Sequence, residues 1–596
     1  MSSKASPRQT SSASPKAPSL PLENTKDALA RWAPWVIVGL VALSFGRVIG
    51  NGMAPTDDRA TIFGNPRMNN PDHAPELVGD GGLGWYWRHG DLALYVPVTY
   101  TIWFVLARLT WIKTPDESGM HLDPHIFHAV SLLLHIGNTL LVYRLLRKLL
   151  RYRQIDSAWP ALAGALVYGL HPLQVESVAW TSGMKDLLYC GFSLAALLAY
   201  LRAVEPPGDE ADHSLWKRRC SYLCGMIFMV IGMLCKPTAM VVPLLAFILD
   251  LLVLRRRLAK VILSTVPYMI AAIPLMIVAK IVQPGISVVS PPLWERPIVA
   301  GASLAFYLGK LIAPIHLAFD YGWRPLAMLQ KSWFWWIAGI PLAIGIVLFQ
   351  QRRRHPWLLV GVLVGLAALL PVLGLNPFHF QFFSTVADHY MVLAMLGPAI
   401  ACAGMFSARG GQQKSSTVGV SAILFVILGS MSFRQLRHWH TDEDVIWQTL
   451  AVTPDSALGL DALGHYYESL GDMKSAEMEF IATRANPFFF TGTENLVHLY
   501  ADTGQPKKAV AAFHQLLQIN NRAPPELRSD YRNLPVTLAI EAIRAGHRTD
   551  VPVYLIEVAR MWFAENFESW LGGASVRYLP TSSAIPALSG RWVHQT

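Results

Sequence analysis

HIFHAVSLLLHIGNTLLVYRLLRKL, residues 125–149, runs for 19 residues without an acid, lysine or arginine and then delivers Arg144, Arg147 and Lys148. At about 1.5 Å per helical residue, such a run spans the roughly 30 Å of a bilayer's hydrocarbon. Apolar stretches of similar length recur as far as residue 433, after which the chain turns polar. Only 15% of the residues are charged, against roughly 25% for an ordinary soluble domain. The expected architecture is all-α. A polytopic membrane domain over 33–433 follows a Ser-, Pro- and Lys-rich disordered tail over 1–32, and a soluble domain occupies 434–596.

Cations in short loops orient membrane helices, because positively charged loops stay inside. Basic clusters fall at Arg144–Arg153, at Arg255, Arg256, Arg257 and Lys260, at Arg352, Arg353 and Arg354, and at Arg409 with Lys414. Residues 51–91 instead carry six acids and three arginines, which places that loop outside. Parity then makes 92–111 and 298–319 interfacial or re-entrant, since Pro97, Arg108, Lys310 and Pro314 interrupt them. About 11 crossings remain, near 33–50, 125–147, 159–173, 185–203, 219–235, 238–254, 261–282, 333–350, 356–375, 388–406 and 417–433. The first reads as an uncleaved signal anchor with a cytoplasmic N-terminus. An odd count puts the C-terminal domain on the extracytoplasmic side. The net charge of +10 sits mostly in inner loops, which argues against nucleic acid as a partner. The five cysteines lie in or beside membrane segments, so no disulfide framework is expected.

Beyond residue 455 the sequence repeats. Leu463, Tyr467, Gly471, Ala476 and Phe480 return as Leu496, Tyr500, Gly504, Ala509 and Phe513, each displaced by 33 positions. Large–Gly–small–aromatic at this period is the tetratricopeptide pattern, in which each unit is a helical hairpin and units stack into an α-solenoid. A degenerate third pair over 538–567 would cap the stack. Such a stack either braces the membrane domain or offers a peptide-binding groove.

Polar clusters gather on the outer face: Asp57 and Asp58; Arg88 in WYWRHG; His171, Glu176, Lys185 and Asp186 in HPLQVESVAWTSGMKD; Lys236 in CKP; and Asp388, His389 and Tyr390 in VADHY. Each has an ordinary alternative, since interfacial aromatics anchor helices and long cations snorkel. Their coincidence on one face points to a site, because acids at a membrane edge need a compensating reason. No zinc-ligand spacing, P-loop, dinucleotide-binding or G-x-S-x-G motif occurs, so no metal and no nucleotide is expected.

TDDRATIFGNPRMNNP (56–71), residues 125–149, HPLQVESVAWTSGMKDLLY (171–189), LCKPTAMVVPLLAFILDLL (234–252), YLGKLIAPIHLAFDY (307–321) and VADHYMVLAMLG (386–397) resemble, in order, the membrane domain of the transmembrane-and-tetratricopeptide (TMTC-like) proteins. These are relatives of the protein O-mannosyltransferases in the GT-C class. The resemblance implies a membrane glycosyltransferase with a polyprenyl-phosphate-linked sugar as membrane donor and no further cofactor. It also implies a Ser/Thr-type hydroxyl acceptor and an acid of the first external loop as base; if the repeats form a groove, it would take an extracytoplasmic protein or peptide acceptor. Carried over, that acid is Asp57 or Asp58.

Lys236, Lys185, Arg88 and His389 are then candidates for the donor phosphate. Asp186, Glu176 and Asp388 are candidates for orienting partners or binding sugar hydroxyls, and His171 and Tyr390 belong to the same outer clusters. A single displacement would invert the anomeric centre. Relatives usually read Arg where this chain has His389, which trades a permanent fork of donors for a titratable ring. Two other readings share these features: a non-enzymatic tetratricopeptide scaffold, and a transferase acting on a lipid or polysaccharide. The absence of sequons and external disulfides and the compact tail fit a bacterial inner membrane with the repeats in the periplasm; an endoplasmic reticulum location would keep the same orientation.

Overall fold

The computed structural model describes residues 23–54, 58–70, 72, 75–76, 82–91, 94–115, 120–205, 215–282, 290–407, 415–486, 489–523, 528, 530–544 and 546–571. Among them no strand forms; two isolated bridges, Asp91 with Leu94 and Trp111 with Leu122, pin loops. Eight helices are long and apolar enough to cross a membrane: Leu29–Gly50, Pro124–Arg151, Thr181–Val204, Leu215–Cys235, Pro237–Leu254, Leu258–Val282, Ser332–Gln350 and Val418–Trp439. The pair Asp388–Ala394 and Leu396–Ser407, bent by 47°, makes a ninth if it is one span. These define a multi-pass membrane protein.

All nine coincide with expected crossings. The other two expected crossings are the shorter apolar helices Ala158–Leu170 and Pro356–Val372, so length and composition give eight or nine spans rather than eleven. At 13 residues, Ala158–Leu170 reaches only about 20 Å. It is buried on nearly every side, inside the bundle. The segments expected to be interfacial form Pro97–Thr110 and Arg296–Ile312, neither of them among the eight.

The helix Pro124–Arg151 illustrates why these sequences pack as they do. Asp123 caps it by accepting the His125 N–H at 2.9 Å, and Pro124 opens its first turn. Phe127, His128, Ser131, His135, Asn138, Val142, Leu145 and Leu149 recur every three or four residues and are buried, while Leu133 on the opposite side is 66% exposed and faces lipid. Polar groups at this depth need partners within the protein. His135 Nε2 meets the Gly169 carbonyl at 2.9 Å, and the Asn138 amide donates to the Leu187 carbonyl at 2.9 Å. Small residues let backbones approach elsewhere: a Cβ on Gly361 would lie 2.5 Å from the Gly397 carbonyl oxygen.

After Val418–Trp439, helix Asp442–Val452 leads into three hairpins. They are Ala457–Ser469 with Met473–Ala482, Thr491–Asp502 with Pro506–Arg522, and Leu534–Arg544 with Val551–Leu571. Gly471 and Gly504 make the equivalent turns at φ +77° and +66°, a region where a side chain is strained. The repeated residues do the same work in both units: Leu463 and Leu496, Ala476 and Ala509, and Phe480 and Phe513 are all buried.

Candidate active site

The site is assembled where loops return from the apolar helices. Residues 51–54 turn back after the first span and bring in Asp58, which is fully buried. Its carboxylate accepts the peptide N–H groups of Ala54 at 3.2 Å, Thr181 at 3.2 Å and Ser182 at 2.6 Å. Thr61 and Ser182 join the same two segments through a 2.9 Å hydroxyl contact. Three peptide donors hold the carboxylate fast. Asp58 therefore fastens the opening loop onto the turn at 181–183. Asp57 lies outside the described residues.

Glu176 sits on the short helix Val175–Ala179 and is 3% exposed. One carboxylate oxygen accepts the His389 peptide N–H at 2.9 Å, and the other meets His389 Nδ1 at 2.8 Å. Burial pushes the Glu176 carboxyl up to about 8; the His389 amide opposes this most, the Asp186 charge adds to it, and Lys236 draws it back. Next to this pair, Lys236 donates to Asp186 at 2.5 Å. Burial lowers the Lys236 ammonium, chiefly against the pull of Asp186. Its Nζ lies 5.4 Å from the Tyr390 ring centre and 5.8 Å from that of Tyr189. The second Asp186 oxygen is buried without a hydrogen-bond partner among the described residues. Lys185 Nζ lies 4.6 Å from the Trp180 ring, which in turn packs 5.4 Å from His389. Asp388 takes the Tyr321 hydroxyl at 3.0 Å on both oxygens.

The structure thus gathers Glu176, Lys185, Asp186, Lys236, Asp388, His389 and Tyr390 into one buried polar cluster. It does not gather two others by contact. Arg88 ends the short helix Leu83–Arg88 at the surface, and its Nε donates back to the Gly84 carbonyl at 3.2 Å. His171 closes a backbone corner: its Nδ1 accepts the Leu173 N–H at 3.2 Å and its Nε2 meets the Leu311 carbonyl at 3.2 Å. Burial brings the His171 ring down to about 4, which keeps it neutral. Sequence reasoning missed Trp180, Tyr321 and Lys310. Lys310 donates to the Ile315 and His316 carbonyls at 2.8 Å each and lies 5.0 Å from the Tyr321 ring. The run Phe319–Trp323, aromatic and polar by turns, was the available signal. Among the described residues no three His, Cys, Asp or Glu side chains converge as metal ligands.

This arrangement lies in a chain with curated relatives. Over 222 residues it is 30% identical to the protein O-mannosyl-transferase Tmtc2 of Drosophila melanogaster, a match covering 35% of this chain and 23% of that protein. Over 442 residues it is 23% identical to the protein O-mannosyl-transferase F38B6.6 of Caenorhabditis elegans, covering 71% of this chain and 58% of the relative. Over 236 residues it is 29% identical to the human protein O-mannosyl-transferase TMTC4, covering 37% and 30%. The chain spans less than two thirds of the length of each of these relatives. It is similar to TMTC-type proteins at modest identity. No family model and no solved structure matches it.

Proposed function

We propose that the protein is a membrane glycosyltransferase that moves a sugar from a polyprenyl-phosphate donor to a hydroxyl acceptor, Ser or Thr of a protein, on the extracytoplasmic face. One observation carries this reading: the buried cluster of Glu176, Asp186, Asp388, Lys185, Lys236 and His389 is built from the segments 171–189, 234–252 and 386–397, which resemble the TMTC-type membrane domain. The relatives' name, protein O-mannosyl-transferase, makes mannose the first sugar to try.

A sugar leaving lipid phosphate needs cations where negative charge develops and a base behind the attacking hydroxyl. Lys236 and Lys185 are suited to the first role, because fixed cations in a water-poor site stabilise a developing charge strongly. The second role passes to Asp57. Asp58 is already committed to three peptide N–H groups, and Asp57 is the adjacent carboxylate in the sequence. A single in-line displacement breaks the bond between anomeric carbon and phosphate oxygen, forms the bond to the acceptor oxygen, passes the acceptor proton to the aspartate and inverts the anomeric centre. Glu176 positions His389, and Asp186 positions Lys236. The C-terminal hairpins act in this reading as an extracytoplasmic tetratricopeptide stack beside the site, with the N-terminus cytoplasmic, in a bacterial inner membrane. Transfer from mannosyl-polyprenyl phosphate by the purified protein tests the proposal, with Asp57→Asn as its first variant. Wild-type transfer rates in that variant would remove the base assignment.

A further inference from the structure

Between helix Arg296–Ile312 and Pro325 the chain runs as an irregular buried strap, entered through His316 at φ +52° and left through Gly322 at φ +61°. Leu317, Ala318, Phe319, Asp320 and Tyr321 are all under 8% exposed. The strap has two faces. Away from the site, the Leu317 carbonyl accepts the side-chain amides of Gln435, in the last membrane helix, at 3.2 Å and of Gln448, in helix Asp442–Val452, at 2.9 Å. The Asp320 carbonyl accepts the Thr453 hydroxyl at 3.0 Å, and its carboxylate accepts the Ser456 hydroxyl at 2.7 Å. A Cβ on Gly322 would come within 3.1 Å of the Thr453 methyl, so the fit leaves no slack.

Toward the site, Tyr321 donates to Asp388 and Phe319 packs edge-on to Trp180 at 5.4 Å. The Trp323 carbonyl accepts both the peptide N–H and the hydroxyl of Thr385 at 3.0 Å. Adjacent residues, Asp320 and Tyr321, therefore grip the C-terminal helices and the charged cluster respectively.

We propose that the strap 317–323 makes the C-terminal helices part of the site's geometry, with Tyr321 as the positioning residue for Asp388 and Asp320–Ser456 as the coupling that sets Tyr321. The proposal rests on the glycosyltransferase reading for its catalytic consequence but not for its structural one. A hydrogen bond from a phenol to a buried carboxyl group is worth about tenfold in an equilibrium or a rate. The interaction acts on the geometry of the reacting complex rather than on the donor's grip, so the loss falls on kcat and leaves KM near its starting value.

The test uses full-length protein in nanodiscs and two readouts, transfer from mannosyl-polyprenyl phosphate and amide hydrogen exchange of the 384–391 segment. Tyr321→Phe is expected to lower kcat about tenfold and to speed exchange at 384–391. Ser456→Asp keeps a cap for the Gly459 N–H, now 3.0 Å from the Ser456 hydroxyl, while setting a carboxylate against Asp320. It is expected to reproduce both effects with the hairpins still folded, whereas Ser456→Thr should behave as wild type. Wild-type kcat and exchange at 384–391 in Ser456→Asp, with faster exchange confined to 453–460, would overturn the coupling. Should the wild-type protein show no transfer at all, the enzymatic reading fails, and the exchange at 384–391 alone decides the strap.

Discussion

The buried cluster and the C-terminal hairpins differ in what fills most of their interiors. In the hairpins the repeated positions bury Leu, Ala and Phe against one another, Ser456 and Asp472 cap helices, and polar pairs such as His514 with Glu557 and Asn495 with Asp461 tie helices together. In the cluster the interior is filled by carboxylates and cations whose desolvation offsets much of their attraction. The hairpins are arranged for stability. The cluster is costly to fold, and such arrangements mark sites where charge must be managed. The difference teaches where a substitution should cost activity and where it should cost only folding.

The largest expected effect is on chemistry. Asp57→Asn should lower transfer by about 10²–10⁴-fold at unchanged melting temperature. Asp58→Asn should both slow transfer and lower the melting temperature, because three peptide donors lose a charged acceptor. Thermal unfolding in detergent, set beside transfer rates, separates the two.

Next come the buried ion pair and the apolar repeat. Lys236→Met should destabilise the membrane part by about 3–5 kcal/mol, since Asp186 is left charged and unpaired; Lys236→Met with Asp186→Leu should regain most of that stability and none of the activity. Phe480→Ala or Phe513→Ala should cost a similar ~3–5 kcal/mol. Limited proteolysis should locate that loss in residues 456–571 and leave the helices before residue 407 protected.

A smaller effect is set by pH. Glu176 binds its proton more tightly folded, to about 8, than unfolded, near 4.5. Its contribution is therefore complete below the unfolded value and declines as pH rises toward the folded one. The melting temperature should fall over that window, and Glu176→Gln should flatten the decline. The smallest change is Gly504→Ala, expected to cost roughly 1–2 kcal/mol because of its left-handed backbone.

What could be read in the sequence follows from what is local. Apolar runs announced every long membrane helix, and the 33-residue offset announced both the hairpins and the burial of Leu463, Ala476 and Phe480. Helices such as Ala158–Leu170 were harder to judge, because a short helix buried by its neighbours is as apolar as one facing lipid. The cluster's membership was largely legible from outward polar motifs, but its pairing was not. Glu176 and His389 stand 213 residues apart, and Tyr321 and Asp388 stand 67 apart; no periodicity links them. Arg88 and His171 are polar residues in the same motifs, and their hydrogen bonds among the described residues run to backbone. Asp58, read as one half of a carboxylate pair, accepts three peptide N–H groups, which no sequence pattern announced.

The central claim is that the buried cluster serves transfer of a sugar from lipid phosphate. The most direct measurement reconstitutes the full-length protein in liposomes with radiolabelled mannosyl-polyprenyl phosphate and a Ser/Thr-containing peptide, and follows label on the peptide together with its anomeric configuration. The predicted result is inverted glycosyl-peptide that forms with the wild-type protein and is lost with Asp57→Asn and Lys236→Met. Label that never reaches the peptide, or that reaches it equally well in both variants, would contradict the account.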